Sequence, residues 1–600
     1  MPGYKKLADA CNPRGCLVFA QLTHPGREMA LASDGSRPVA YAPSAVPNER
    51  FHVMPRALPN ELISEITDGF EQSAAHLRQA GLDGVELVAS HGYLLGQFLN
   101  PKVNLRSDGY GGTFEGRLRL LREAIEATRR GAGEDMIIGL RLSGDEKDFA
   151  GMGLDRVLEI CSALDGVSDP DYFNITAGTS AGLVGSTHIV PSMAYELGDT
   201  APISASIKTR VSKPVFVAGR INQPQIAEKI LEMGQADMCG MTRALISDPE
   251  MPLKARCGDL EDIRACVACN QACIEHMLQA CPISCIQRPE TGRELQYANL
   301  SKAPSRKRIL VAGSGPAGLK AASIAARRGH EVILCEKSNA LGGQINLAQS
   351  LPGRAEFGGI TVNLQKELSK TAARLHLNCF VNLDVIENIA PDVVISATGA
   401  TPYRAQIDGA DDAHVVNAWQ VLQGQTNVGG CVVIADWRCD WVGLGLAELL
   451  VKQGRHVRLA VNGMVAGQNI PQYARDTWIV TLHKLGVEII PHVRVVGVDS
   501  EDAYFQNTLS GEPVLLNAVD TLVTALGHSA ETKLEKDLSA HRILHHIIGD
   551  CLSPRTVEEA VLEGLTIGAT LLRAKAFKSW ARFVRARRLS WKFRLGASLG

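Results

Sequence analysis

Residues 307–337 read KRILVAGSGPAGLKAASIAARRGHEVILCEK, and this segment constrains the fold more than any other in the chain. The apolar run RILVA predicts a buried parallel strand. It is followed by Gly313-Ser314-Gly315-Pro316-Ala317-Gly318, a helical pattern, and a second apolar run that closes on Glu336. Glycines at 313, 315 and 318 permit a tight turn and let backbone approach a pyrophosphate. The helix start offers N–H donors and the positive end of a dipole. Glu336 stands at the sequence distance needed to hydrogen-bond a ribose hydroxyl. A lone glycine motif is weak evidence, but strand, turn, helix, strand and terminal acid together are strong. Gly343-Gln344, Thr398-Gly399 and Gly549-Asp550 are further expected contacts. They point to an adenine-dinucleotide flavin, FAD, with ADP as the alternative.

A second unit of the same kind runs through CVVIADWRCDWVGLGLAELLVKQGRHVRLAV, residues 431–461. An NAD(P) site needs glycines directly after the strand. Here Ala435, Asp436, Trp437, Arg438, Cys439, Asp440 and Trp441 precede Gly443. Tryptophan is too bulky for backbone to approach a pyrophosphate, and two acids repel phosphate. The expectation is that this unit does not take NAD(P)H. A remodelled but working site is the alternative.

Residues 1–255 alternate helical patterns with short apolar runs at 15–22, 84–89, 136–142, 171–176, 214–219 and 236–242. Repeated strand–helix units imply a doubly wound sheet or a (β/α)8 barrel. A closed barrel of that type needs eight strands, and six are legible.

Between these halves lies Cys266-x2-Cys269-x3-Cys273-x11-Cys285. Cysteine-only ligation at this spacing suits a 4Fe–4S cluster or zinc, and the flavin-type context favours iron–sulfur. Cys281 competes as the fourth ligand. The whole chain has 15 cysteines, a net charge of -2 and no secretory leader pattern. That usage implies reduced thiols in a cytoplasmic protein rather than a disulfide framework. The charge balance leaves no basic footprint for nucleic acid. No apolar run is long enough to span a bilayer. Residues 573–600 carry nine Lys or Arg and no acid, interspersed with Trp and Phe. A solvated appendage is the favoured reading of this tail, ahead of a membrane-surface helix.

The chain resembles the flavin/iron–sulfur branch of the Old Yellow Enzyme family, which includes 2,4-dienoyl-CoA reductase, trimethylamine dehydrogenase and N-methyl amino-acid demethylases. The resemblance rests on residues 20–27 (AQLTHPGR), on 91–101 (HGYLLGQFLNP), on 104–108 (NLRSD) with 110–112 (YGG), and on the cysteine run. It implies FMN in the first half. Gln21 would bond the pyrimidine edge, and Arg141 would stabilise the anionic reduced ring. Gly219-Arg220 and Gly240 with Thr242-Arg243 would hold the phosphate. His91 and Tyr93 would face substrate, with Tyr93 able to donate a proton; His24 is weaker. The reductase's histidine acid has no counterpart in residues 174–181, and His188 lies later. The places of the dehydrogenase's tyrosine and acid hold Val88 and Thr179.

The resulting expectation is an α/β chain. A (β/α)8-type barrel, N-terminally incomplete by two strands, occupies 1–255. A cluster segment covers 256–300. A Rossmann-like FAD domain takes 301–425 with 510–572, and a degenerate second one takes 426–509. A barrel lacking two strands is expected to bind FMN poorly. The activity expected is oxidoreduction: N-demethylation of a methylated amine or N-methyl amino acid, with electrons passed to a protein acceptor. NAD(P)H-dependent enoate reduction and a degenerate electron-transfer subunit are the alternatives. Partners are a small-molecule substrate, the acceptor protein and further copies of the chain.

Overall fold

A computed structural model describes residues 1–571 apart from 30, 33 and 167–169. The basic tail lies outside the described residues. The chain divides into two compact units. The first is residues 1–270 with 470–481; the second is the remainder.

The first unit is built on one six-stranded sheet whose strands pair in chain order. They are β1 (Phe19–Leu22), β2 (Gly84–Val88), β3 (Ile137–Asp145), β4 (Tyr172–Ala177), β5 (Val215–Ala218) and β6 (Met238–Gly240). All neighbours are parallel. Each apolar run singled out above became one strand. Every residue of β2 is buried, as expected for a strand covered on both faces. Among the described residues the sheet is curled but not closed: β1 and β6 each pair on one side only.

The crossover helices form where apolar residues recur at helical spacing. Thr113 caps the helix Phe114–Ala132 by accepting from the Gly116 amide. That helix buries Leu118, Leu121 and Ile125, at about 1.5–3 kcal/mol each. It crosses the helix Asn60–Gln79 at Gly131, where a Cβ would collide with the Glu71 carbonyl. Inside the sheet, Tyr172 stacks on Phe216 with ring centroids 4.4 Å apart. Gly139 is needed beneath this pair, because a side chain there would strike the Tyr172 ring.

The second unit holds two parallel five-stranded sheets. One orders Arg374–His376, Glu331–Cys335, Arg308–Ala312, Val393–Ser396 and His545–Ile547. Its helix Pro316–Arg327 packs on the helix Val557–Thr570. Contact is close because Gly564 and Gly568 face Ala317 and Ile324. The other sheet orders Val415–Asn417, Thr521–Ala525, Cys431–Asp436, His456–Val461 and Glu488–Ile490. Here the structure differs from the expected division. Val415–Asn417, Pro513–Leu516 and Thr521–Ala525 belong with the second sheet or its antiparallel meander, not with the first dinucleotide fold. Short strands flanked by ordinary polar loops mark no boundary in composition, so only pairing reveals their allegiance.

Candidate active site

The residues expected to face flavin and substrate gather at the carboxyl ends of β1–β4. Glu86 on β2 organises the floor. Its carboxylate accepts from Gln21 Nε2 at 2.6 Å, Tyr172 Oη at 2.8 Å and Asn174 Nδ2 at 2.9 Å. Arg141 sits in register between Val88 and Asn174. Burial lowers its pKa, while the charge of Glu86 opposes that shift. Gln21 and Arg141 therefore stand in one charged network, on strands whose register brings them there. Sequence reasoning missed Glu86, although a lone acid inside the apolar run GVELVA was the available signal.

His91 follows β2 in a left-handed conformation, φ 61°. Its amide donates to Ser143 Oγ at 3.0 Å, and its carbonyl accepts from the Ser180 amide at 2.9 Å. The ends of β3 and β4 thus clamp the turn. Its Nδ1 is buried with no hydrogen-bond partner. Burial, reinforced by Arg141, pushes the imidazole down to about 3, so it is neutral at physiological pH. Tyr93 meets it edge-on, ring centroids 6.2 Å apart. Burial raises the phenol, and Glu28 adds to that, so Tyr93 keeps its proton. An uncharged imidazole and a protonated phenol side by side can hold and orient a heteroatom or pass a proton.

Two further carboxyls were not singled out from sequence. Glu28 accepts from Asn48 Nδ2 at 2.8 Å and Ser180 Oγ at 2.7 Å. Glu146 accepts from the Met152 amide at 2.7 Å. Burial lifts both to about 7. His24 Nδ1 accepts from the Gly26 amide, so it braces its own turn. His188 packs against Tyr195, centroids 4.8 Å apart. Thr179 bridges to His91 and is buried.

The expected phosphate residues follow β5 and β6. Gly219 lies against Thr200, and Arg220 adopts φ 49° with Nε donating to the Tyr195 carbonyl at 2.5 Å. Gly240 ends β6 and Thr242 opens the next helix. Arg243 Nη1 donates to the Pro191 carbonyl and to Asn270 Oδ1. Both arginines are thus braced by loops of this unit at the end of the sheet where barrel folds hold phosphate.

Cys266 and Cys269 fall in the first unit, Cys273 and Cys285 in the second. Cys266 Sγ accepts from the Ala268 amide at 3.3 Å, and Cys285 Sγ from the Gln287 amide at 3.4 Å. Ala268 and Asn270 are left-handed, φ 48° and 60°. N–H donors aimed at sulfur suit thiolate ligands. Among the described residues no three His, Cys, Asp or Glu side chains converge as ligands of a single ion.

In the second unit a cavity of about 1400 Å³ is lined by both dinucleotide turns. Gly313 has φ 103°, and a Cβ there would collide with the Ala397 carbonyl. A Cβ on Gly318 would collide with the Gly313 carbonyl, whereas Gly315 faces open space. Ala317 packs on Gly549. Glu336 accepts from Ser314 and Ser338 through both amides and both hydroxyls. Gly343 faces Gly315, and Gln344 Nε2 donates to Asp550 Oδ2 at 2.8 Å. Thr398 Oγ1 donates to the Glu531 carbonyl at 3.1 Å, and Gly399 follows with φ 79°. All these residues border the cavity except Gly318, which sets its wall.

The second turn is closed differently. Asp440 Oδ1 accepts from the Val442 amide and caps the helix Trp441–Lys452 itself. Asp436 Oδ1 accepts from the Cys439 amide, while its Oδ2 is buried without a partner against Gly443. Burial and the neighbouring Asp440 raise Asp436 well above the usual carboxylate range. Trp441 covers Arg354, which lies between its ring and that of Phe357 at 4.1 and 4.4 Å. Carboxylates thus stand where a pyrophosphate would need amide donors.

Residues 1–261 match the NADH:flavin oxidoreductase / NADH oxidase family, and 307–543 match the pyridine nucleotide-disulphide oxidoreductase family. N,N-dimethylglycine/sarcosine dehydrogenase of Chromohalobacter salexigens is 32% identical over 94% of this chain and 88% of its own length. NADH oxidase of Thermoanaerobacter brockii is 33% identical over 94% and 87%. A solved 2-naphthoyl-CoA reductase complex superposes with a TM-score of 0.86 at 29% identity, over 95% of this chain and 87% of that one.

Proposed function

Because the chain belongs to the NADH:flavin oxidoreductase / NADH oxidase family, the Old Yellow Enzyme group, we propose that this oxidoreductase oxidatively removes N-methyl groups from an amine or amino acid and delivers the electrons to a protein acceptor. The observation that carries this reading is the second dinucleotide turn. Asp440 occupies the helix start and Asp436 the strand end, so the turn offers a reduced nicotinamide no phosphate cradle. Similarity to a dimethylglycine/sarcosine dehydrogenase supports the same direction of electron flow.

The residues suit the groups the reading needs. Gln21, Arg141, Arg220 and Arg243 would hold FMN; Cys266, Cys269, Cys273 and Cys285 a 4Fe–4S cluster; the 313–318 turn with Glu336, Gln344 and Asp550 FAD or ADP. Bound there, these groups would supply the hydride acceptor and the path for single electrons. The chain's own part is binding and proton placement. Neutral His91 and protonated Tyr93 would border the substrate without placing a full charge beside the amine nitrogen, whose unprotonated lone pair loss of hydride from the methyl carbon requires. Water then adds to the resulting iminium, releasing formaldehyde and the demethylated amine.

The test is turnover with an artificial electron acceptor in the presence of added FMN. N,N-dimethylglycine, sarcosine or N-methylproline should yield one formaldehyde per two electrons. NADH and NADPH, mixed anaerobically, should leave the flavin absorbance unchanged. Bleaching by NAD(P)H with reduction of an enoate, and no formaldehyde from any methylamine, would overturn the reading.

A further inference from the structure

Among the described residues, Arg50 is a cation without a counterion beside the substrate-facing pair. It lies half-buried in the loop that precedes the helix Asn60–Gln79. Its guanidinium rests 5.0 Å from the ring centroids of both Phe51 and Tyr473. Only Nη2 is hydrogen-bonded, to Gln472 Oε1 at 3.4 Å and Tyr473 Oη at 3.3 Å. Its Nε is buried without a partner, and the side chain enters no ion pair among the described residues. Tyr473 belongs to the 470–481 segment of this same unit.

Holding an unpaired arginine in a partly dry place costs free energy, and two aromatic faces offset only part of it. Its position defines what would repay the rest. The charge of Arg50 is felt by both Tyr93 and Glu28, favouring the ionised form of each. No ion pair joins it to Glu28 among the described residues; that carboxyl accepts from Asn48 and Ser180. The Nη1 N–H groups of the guanidinium are neither buried nor hydrogen-bonded, which leaves them available for an anion beside Tyr93, and a carboxylate is the anion whose two oxygens match an arginine fork.

We propose that Arg50 binds the substrate's carboxylate, which makes this a site for N-methyl amino acids rather than simple methylamines. The inference rests on the demethylation reading for the chemistry of the other end of the substrate. In an α-amino acid the carboxylate is separated from nitrogen by a single carbon. A cation beside Tyr93 thus fixes the nitrogen near the His91–Tyr93 pair and leaves the methyl carbon as the free end. Tyr473 acts as a positioning residue that keeps the guanidinium flat.

The experiment is calorimetric titration of the full chain, supplied with FMN, with N,N-dimethylglycine and with dimethylamine. Arg50→Met should weaken dimethylglycine binding at least about tenfold and dimethylamine less than about twofold. Arg50→Lys, which keeps the charge but not the fork, should fall between. Circular dichroism and FMN content should match the parent. Equal weakening of both ligands, no weakening, or no preference of the parent chain for dimethylglycine would each overturn the proposal. Formaldehyde release distinguishes the two readings. Arg50-dependent binding without formaldehyde from any N-methyl amino acid would sink demethylation and leave the carboxylate site standing.

Discussion

At the scale of single residues, burial keeps the His91–Tyr93 pair uncharged. Tyr93 retains its proton because burial and Glu28 both oppose phenolate formation. Tyr93→Phe removes only the hydroxyl, so turnover should drop by about tenfold, the loss of one hydrogen bond, while FMN content stays unchanged. Steady-state rates beside a flavin absorbance ratio check this. Glu28 and Glu146 are held at about 7 rather than 4.5, chiefly by burial. A carboxyl whose folded pKa exceeds its unfolded one binds its proton more tightly in the folded state. Its stabilising share is complete below about 4.5 and is lost as pH rises towards 7. Thermal midpoints should therefore fall between pH 5 and 7.5, and Glu146→Gln should flatten that slope. A slope unchanged by the substitution would contradict the assignment. None of these carboxyls lies in a recognisable motif. Their pKa values are raised by burial, against the opposing hydrogen bonds from Ser180 and the Met152 amide, and burial is set by how the chain folds around them.

At the scale of elements, two strand–turn–helix units of similar pattern have opposite fates. In the first, Gly318 lets the helix Pro316–Arg327 approach the turn so closely that a Cβ would strike the Gly313 carbonyl. Gly318→Ala should force the helix away and reduce bound FAD or ADP to under about a tenth of the parent's, by acid extraction and chromatography. In the second, Asp440 satisfies the helix start from within the chain. Asp440→Ala should cost about 1 kcal/mol of stability through the lost cap, yet should not create NADPH oxidation, because Asp436 and Trp441 remain. Denaturant titration and anaerobic mixing read the two outcomes separately. Both turns were legible from residue types alone, since glycine, tryptophan and aspartate act within a few bonds of the backbone they serve. The capping role of Asp440 and the burial of Asp436 were not, because each depends on where the helix settles.

At the scale of the whole molecule, the open sheet and the cysteine run set the remaining expectations. Among the described residues β1 and β6 each lack a second neighbour, and Met238 is 54% exposed. Unpaired edges leave the pocket wall unsupported. FMN should bind substoichiometrically unless supplied in excess, and flavin analysis after dialysis tests it; full retention would refute it. Cys285→Ser should abolish the iron signal and Cys281→Ser should leave it, as measured by iron content and visible absorbance. The reverse pattern would exchange the fourth ligand.

The strand positions of the first unit and both dinucleotide turns were legible in the sequence alone, because periodicity and glycine placement are local properties. The tertiary structure decided three things. It joined Gln21, Glu86, Arg141 and Asn174 into one network through parallel register. It assigned Val415–Asn417 and Thr521–Ala525 to the second sheet. It placed Tyr473 on Arg50, 423 positions apart in the chain. Such contacts depend on how a long chain returns on itself. No local pattern encodes that return, since it is settled by the burial of many distant surfaces at once.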